Sequence, residues 1–320
     1  MKNDKILMPL ALILILAAGL ALRLAVLPFK GYEPDVALSK TWGLELVKNG
    51  FERLSDLPNS PINYFPNYAL PLYVYKGLAA GYLKFVSPAG DFDSWIFTAL
   101  IKSPGVFGDL ILALRLFFWA RRFFSGPKAL LAPLIYLFNP GVLYDTAVWG
   151  QVDSLHTLLA LGALFAWFSG RRTFSGVLLV AALMTKVHAV IYVPLLLLLM
   201  ARRDGGWAAA KKYLPASAAT FAFAVLPYLL ALGPMKIVSG SLGSVAKYPF
   251  ITVNAMNVWW PFSRIMGGFV RDDIGLVPPV IIGFMFFAVA YVAVFEAVRG
   301  KTSELRILEA AALLTLVFFL

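Results

Sequence analysis

Gly31-Tyr32-Glu33-Pro34-Asp35 places two carboxylates directly after an apolar run, 6–29, and the rest of the chain is threaded from that acidic step. A hydrocarbon core requires about 20 consecutive apolar helical residues, so run 6–29 is long enough to cross. It is longer than the apolar stretch of a signal peptide, about 7 to 15 residues, and lacks a small-residue cleavage site. A retained first helix is therefore expected, leading outward from Lys2 and Lys5 and delivering Glu33 and Asp35 to the far side.

The composition sets the class. Of 320 residues, 60% are hydrophobic and 14% charged, against about 25% charged in a soluble domain. Apolar runs recur along the whole length, so residues 1–320 are expected to form one all-α polytopic membrane module among membrane lipids. The net charge of +11 does not point to nucleic acid, because the bases sit in short segments between apolar runs. There is no cysteine, which excludes disulfides, thiolate metal sites and a cysteine nucleophile.

Basic residues in short loops mark the cytoplasmic side. The clusters are Arg121, Arg122 and Lys128; Arg171 and Arg172; Arg202, Arg203, Lys211 and Lys212; and Arg299, Lys301 and Arg306. With all of them and the N-terminus cytoplasmic, the intervening spans must come in pairs. Spans 129–144 and 152–168 flank an outer turn at 145–151. Run 174–200 breaks at Thr185-Lys186-Val187-His188 into two short helices. Span 213–232 leads to an outer loop, 233–273, and 274–298 returns. The run 307–320 closes the sequence without a polar tail. Span 95–120 must start outside to end at Arg121, so 68–86 cannot cross and is expected to be an interfacial helix within the first outer loop, 30–94. The result is about nine crossings.

This threading gathers the unusual polar residues on the outer side: Glu33 and Asp35, Asn63-Tyr64-Phe65-Pro66-Asn67, Asp145, Trp149-Gly150-Gln151-Val152-Asp153, Lys186 and His188, and Tyr248-Pro249 with Asn254, Asn257, Trp259 and Trp260. Ionisable groups at the membrane boundary are costly and therefore candidates for function. Each has a plainer reading. Asp153 can simply begin a helix, Trp259 and Trp260 can form an interfacial belt instead of stacking on sugar, and Lys102 and Asp109, two turns apart on one helix face, can be a packing ion pair or bind ligand. Arg23 is expected to snorkel to the headgroups. For Lys186 a phosphate contact is preferred. With only His156 and His188 available, a histidine metal site is disfavoured.

The ordered set Glu33-Pro34-Asp35, 64–73, Lys102-Ser103-Pro104 with Asp109, Asn139-Pro140, Trp149 to Asp153, Thr185-Lys186, and Tyr248-Pro249 through Asn254-Ala255-Met256-Asn257-Val258-Trp259-Trp260 resembles prokaryotic mannosyltransferases. These are related to the enzyme that adds the second mannose of the glycosylphosphatidylinositol anchor, within the polytopic GT-C superfamily. The resemblance runs from helix one to about Phe262. The chain departs from it at Pro66-Asn67, where relatives carry two prolines, and at Val187-His188, where proline and glutamine are common.

The resemblance implies a GT-C-like bundle in a prokaryotic plasma membrane with an extracytoplasmic active site, its lipid-binding half expected to be completed by further helices beyond 307–320. It implies transfer of a hexose, mannose first, from a polyprenyl-phosphate donor to a lipid or glycan acceptor. The first outer loop of the superfamily carries an acidic catalytic residue. Asp35 is expected to be the general base, with Glu33 as partner. Lys186, His188, Gln151, Asp153, Trp149, Lys102, Tyr248, Asn254, Asn257 and Trp260 are expected to bind substrate. No metal motif is present, and a divalent cation on Glu33, Asp35 and Asp153 stays open. The alternative class is a transporter or flippase of a lipid-linked sugar, whose key charges should lie near mid-membrane.

Overall fold

The computed structural model describes residues 4–55, 69–203, 207–246, 259–268, 279–300 and 303–318. The expected outer segment 63–67, and Tyr248, Pro249, Asn254 and Asn257, lie outside the described residues.

Within them the chain is helical throughout: α1 (Asp4–Val26), α2 (Glu33–Lys48), α3 (Ala69–Phe85), α4 (Trp95–Ala120), α5 (Leu131–Leu137), α6 (Pro140–Leu143), α7 (Asp153–Phe168), α8 (Arg172–Thr185), α9 (Val193–Arg203), α10 (Trp207–Ala246), α11 (Trp259–Ile265), α12 (Pro279–Val298) and α13 (Glu304–Phe318). Among the described residues four stretches are long and apolar enough to cross a bilayer: Leu7–Val26, Trp95–Ala120, Lys211–Gly240 and Ile281–Val298. Gly126–Leu137, Asp153–Phe168, Arg172–Thr185 and Val187–Ala201 are shorter apolar helices. α1 and α12 present Leu10, Ile13, Leu14, Phe284, Met285, Phe286 and Val289 outward. Such faces are costly in water and compatible with lipid, as in an integral membrane protein.

The central element is α4. It packs against α1, α2, α3, α5 and α7, and it buries Phe97, Ile101, Val106, Leu112, Ala113 and Phe117. Pro104 sits inside it. A proline there deprives the carbonyl four residues back of its donor; that carbonyl, Leu100 O, instead accepts the Ser103 hydroxyl at 2.7 Å. On one side of α4 a core joins α2 and α3 through Trp42, Leu46, Leu72, Tyr75 and Tyr82. A second core joins α7, α8, α9, α12 and α13.

Local chemistry explains the element ends that position the site. Glu33 and Asp35 are not in a loop but in the first turn of α2, with Pro34 between them. Proline suits the start of a helix, and carboxylates there complement the dipole. Asn139, after α5, caps α6: its Oδ1 accepts from Gly141 N at 2.8 Å. Tyr144–Trp149 is then wound as a wide π turn and ends at Gly150, with φ +93°. The backbone N–H groups of Gly150 and Gln151 both donate to Asp145 O at 3.0 Å.

The break expected at 185–188 is present: α8 ends at Thr185, Lys186 is extended, and a 3₁₀ turn, Val187–Tyr192, leads into α9. Beyond 232 the chain does not leave the helix as expected. It kinks at Gly233, with φ +74°, and continues helically to Ala246.

Candidate functional site

The site is built where the start of α2 meets the turn between α6 and α7. Gly31, with φ +74°, lets residues 27–31 pass close against that turn; a Cβ there would lie 2.0 Å from Val148 O. A Cβ on Gly150 would meet Lys102 Cγ at 3.0 Å and Val36 Cγ2 at 3.2 Å. Both glycines combine a left-handed backbone with close contact, which no other residue does without strain.

That approach brings two donors onto one oxygen of Asp35. Trp149 Nε1 donates to Asp35 Oδ2 at 2.7 Å and Gln151 Nε2 donates to the same atom at 2.6 Å. Oδ1 accepts no side-chain hydrogen bond among the described residues. Burial raises the Asp35 pKa above the ordinary carboxylate range, opposed by the Trp149 hydrogen bond, the charge of Lys186 and the Gln151 hydrogen bond. The half-buried carboxylate thus has one oxygen held and one available, and it binds a proton more readily than an acid in water.

A charged pair flanks it. Lys186, at the end of α8, is ion-paired to Asp153, at the start of α7. Asp145, in the wide turn, is raised to about 7 by burial and by the charge of Asp153, against the opposing charge of Lys186 and with a further contribution from Asp109. The Trp149 ring lies 5.3 Å from Tyr32 and 6.0 Å from Tyr144. Tyr32 and Tyr144 are exposed. They extend the aromatic surface beside Asp35 and were not among the sequence candidates, although Tyr32 adjoins the acidic step.

Other candidates are placed differently. Glu33 does not join Asp35; its side chain is 68% exposed and pairs with Lys30 at 3.4 Å. Residues two apart on a helix do not face each other, so the acidic step sends its carboxylates in different directions. Lys102 does not pair with Asp109. It is fully buried, and its Nζ donates to Leu27 O and Ala147 O, each at 3.4 Å, and to Phe29 O. Its ammonium pins the segment after α1 to the wide turn.

Nor does Arg23 snorkel. It is completely buried, and its Nε donates to Asp109 Oδ2 at 2.7 Å. An acid buried on the neighbouring α4 holds it more strongly than the headgroup region would, because the planar guanidinium fork matches a carboxylate.

His188 packs its ring 5.5 Å from Phe318 of α13. Trp260 is stacked under Arg264 of its own helix at 5.1 Å. Among the described residues no three His, Asp or Glu side chains converge in a way that could hold a metal. With Glu33 turned outward and Asp153 engaged by Lys186, a cation shared by Glu33, Asp35 and Asp153 has no common geometry here.

The arrangement can therefore accept a proton at Asp35, present aromatic faces beside it, and offer a partly neutralised cation a short way off. No protein-family model matches this chain, and no curated protein matches it.

Proposed function

We propose that the chain is a membrane glycosyltransferase of GT-C-like architecture with about nine crossings. It moves a hexose, mannose by the resemblance of its motifs, from a polyprenyl-phosphate donor to a hydroxyl of a lipid or glycan acceptor. The reaction takes place on the extracytoplasmic face of a prokaryotic plasma membrane. The observation that carries the reading is Asp35, half-buried, with Oδ2 held by Trp149 and Gln151.

In the proposed step the acceptor hydroxyl approaches Asp35 Oδ1. Its proton passes to that oxygen as the hydroxyl oxygen attacks the anomeric carbon, and the bond from that carbon to the phosphate oxygen breaks, so the electron pair leaves with the phosphate. A single displacement inverts the anomeric centre. A positioned base contributes roughly 10²- to 10⁴-fold. Positive charge from Lys186 stabilises the leaving phosphate, in competition with its pairing to Asp153. Trp149, Tyr32 and Tyr144 offer faces on which a sugar ring can stack.

The test is incubation of purified protein with radiolabelled polyprenyl-phosphate-mannose and a panel of lipid acceptors. Wild type forms a labelled glycolipid, and Asp35→Asn loses at least about 100-fold of that turnover while remaining monodisperse in detergent. Near-native turnover in the variant would sink the base assignment.

One observation favours a transporter of lipid-linked sugar: apolar helices broken at Lys186 and Gly233, as at the broken helices of transporters. Reconstituted vesicles separate the two readings, since a transporter moves the donor across the bilayer without forming a new glycosidic bond.

A further inference from the structure

Below the candidate site lies a polar group that the proposed reaction does not use. Arg23 and Asp109 are both fully excluded from solvent and joined at 2.7 Å. Asp109 Oδ2 also accepts the Thr146 hydroxyl at 2.6 Å, and Oδ1 accepts the Tyr136 hydroxyl at 2.8 Å. Arg23 Nη1 donates to Gly19 O and Leu137 O, each at 3.0 Å, while Nη2 is buried with no partner among the described residues. The network thus ties α1, α4, α5 and the wide turn together at one point. A buried ion pair is weak evidence of stabilisation, because apolar replacements of similar volume are often as stable or more so. What such a pair supplies is a fixed arrangement, and here the element it fixes is the turn that carries Trp149 and Gln151.

The path from the pair to Asp35 is continuous. Thr146 is the residue of the π turn bound to Asp109, and its single hydroxyl proton is shared with Val142 O at 3.0 Å. Ala147 O, the next carbonyl, accepts Lys102 Nζ. Val148 O lies against Gly31. Trp149 and Gln151 then reach Asp35 Oδ2. Wide turns of this kind are rare and cluster at functional sites, and this one is registered at each step from Thr146 onward.

We infer that Thr146, anchored by the buried Arg23–Asp109 pair, is a positioning residue for Asp35, setting the wide turn so that Trp149 and Gln151 meet the carboxylate. The inference rests on Asp35 being the working group of the proposed transferase, but its test needs no sugar donor. The titratable and charged groups on the elements around Asp35 are Lys186 with its partner Asp153, Asp145 on the turn, Lys102 on α4 beneath residues 27–31, and Glu33 with Lys30 on the solvent side. The variants below leave all of them in place.

The experiment is modification of the purified protein by dicyclohexylcarbodiimide, which attacks protonated carboxyls in apolar surroundings. It is followed at the Asp35 peptide by mass spectrometry across pH. Loss of a hydrogen bond to the charged form raises the pH at which labelling falls by half. Trp149→Phe is expected to move that midpoint up by about one pH unit. Thr146→Val is expected to move it in the same direction by a smaller step, Thr146→Ser to restore the wild-type value, and the Thr146→Val, Trp149→Phe double variant to shift by less than the sum.

A wild-type midpoint in folded Thr146→Val overturns the inference, and so does a shift that Thr146→Ser fails to rescue. Should Thr146→Val not fold, Thr146→Ala reads the same midpoint. An unmoved midpoint in an enzyme that transfers sugar removes the positioning role alone. A moved midpoint in a protein without transfer supports the positioning role and removes the transferase reading.

Discussion

Asp35 and Asp145 show how far a side chain's chemistry depends on what its neighbours leave undone. Asp35 has donors on one oxygen, whereas Asp145 is half-buried beside the Asp153–Lys186 pair and accepts no side-chain hydrogen bond among the described residues. Its folded-state pKa is raised from 3.8 to about 7, chiefly by burial. A carboxyl raised on folding favours the native state below its unfolded pKa, and that contribution is lost as pH rises through the folded value. Asp145→Asn, which cannot ionise, escapes the loss. Its Tm in detergent relative to wild type is expected to rise between about pH 5 and about pH 8, the variant being the more stable at the alkaline end. A gap that stays flat across that range would show that the carboxyl is already ionised in the folded protein at about pH 5 and is not raised.

The same contrast explains which residues were legible in sequence. Asp35, Trp149, Gln151, Asp153 and Lys186 stand out at the ends or interruptions of apolar runs, and contiguous spacing already puts Trp149 and Gln151 on one turn with Asp153 at the helix start that follows it. The partners of Arg23, Lys102 and Asp109 were not legible. Their positions are far apart in the chain, and i to i+7 spacing reports a shared face without saying which helix supplies the counter-charge. A signal was present nonetheless. The first and fourth helices together carry Arg23, Lys102 and Asp109 in apolar surroundings, and the planar fork of arginine is the better match for a buried carboxylate. The lysine, a compact ammonium, goes to main-chain carbonyls.

Among the elements, a break in a helix is legible in sequence where a polar residue interrupts an apolar run, and is ambiguous where glycine and proline do. Lys186 is a break in both sequence and structure. Gly233-Pro234 reads as an exit from the membrane, yet Gly233 only redirects the chain, and the helix resumes through a proline that is tolerated at a first turn. Glu33-Pro34-Asp35 reads as loop for the same reason, although proline flanked by acids is equally the start of a helix. The element on which the site depends is the close passage of residues 27–31 over the wide turn. Gly31→Ala places a Cβ 2.0 Å from Val148 O on a backbone of φ +74°. The left-handed conformation alone costs roughly 1–2 kcal/mol, and a contact that short forces the segments apart. Gly31→Ala is expected to lower Tm by several degrees and to abolish transfer, whereas Ala at Gly50, also at positive φ but with open space around its Cβ, costs only the conformational part. Equal effects at the two positions, measured by thermal unfolding in detergent, would remove the packing argument.

For the molecule as a whole, the question is which side each end of α4 faces. By charge parity Arg121 and Arg122 are expected inside and the start of α4 outside. The structure adds that Arg122 donates to Glu304 at 2.5 Å, so the end of α4 and the start of α13 lie at one level. Arg122 also donates to Ser169 at 3.4 Å, which brings the end of α7 to that level too. A partly exposed pair of this kind contributes about 0–1 kcal/mol, so its value lies in placing three helix ends on one side. At the opposite end of α4, Lys40 of α2 donates to Phe92 O at 2.7 Å and Tyr82 of α3 donates to Asp91 O at 2.8 Å, binding α2 and α3 to the turn that precedes α4. The chain has no cysteine, so single cysteines can be introduced without first removing any. Glu33→Cys and Ala89→Cys are expected to react with a membrane-impermeant maleimide on intact cells, and Ser125→Cys only after permeabilisation. Positive-charge topology fixes orientation through all the short loops together, so labelling of Ser125→Cys from outside would invert the whole molecule and carry Asp35 to the cytoplasmic face, where an extracytoplasmic transferase could not use it.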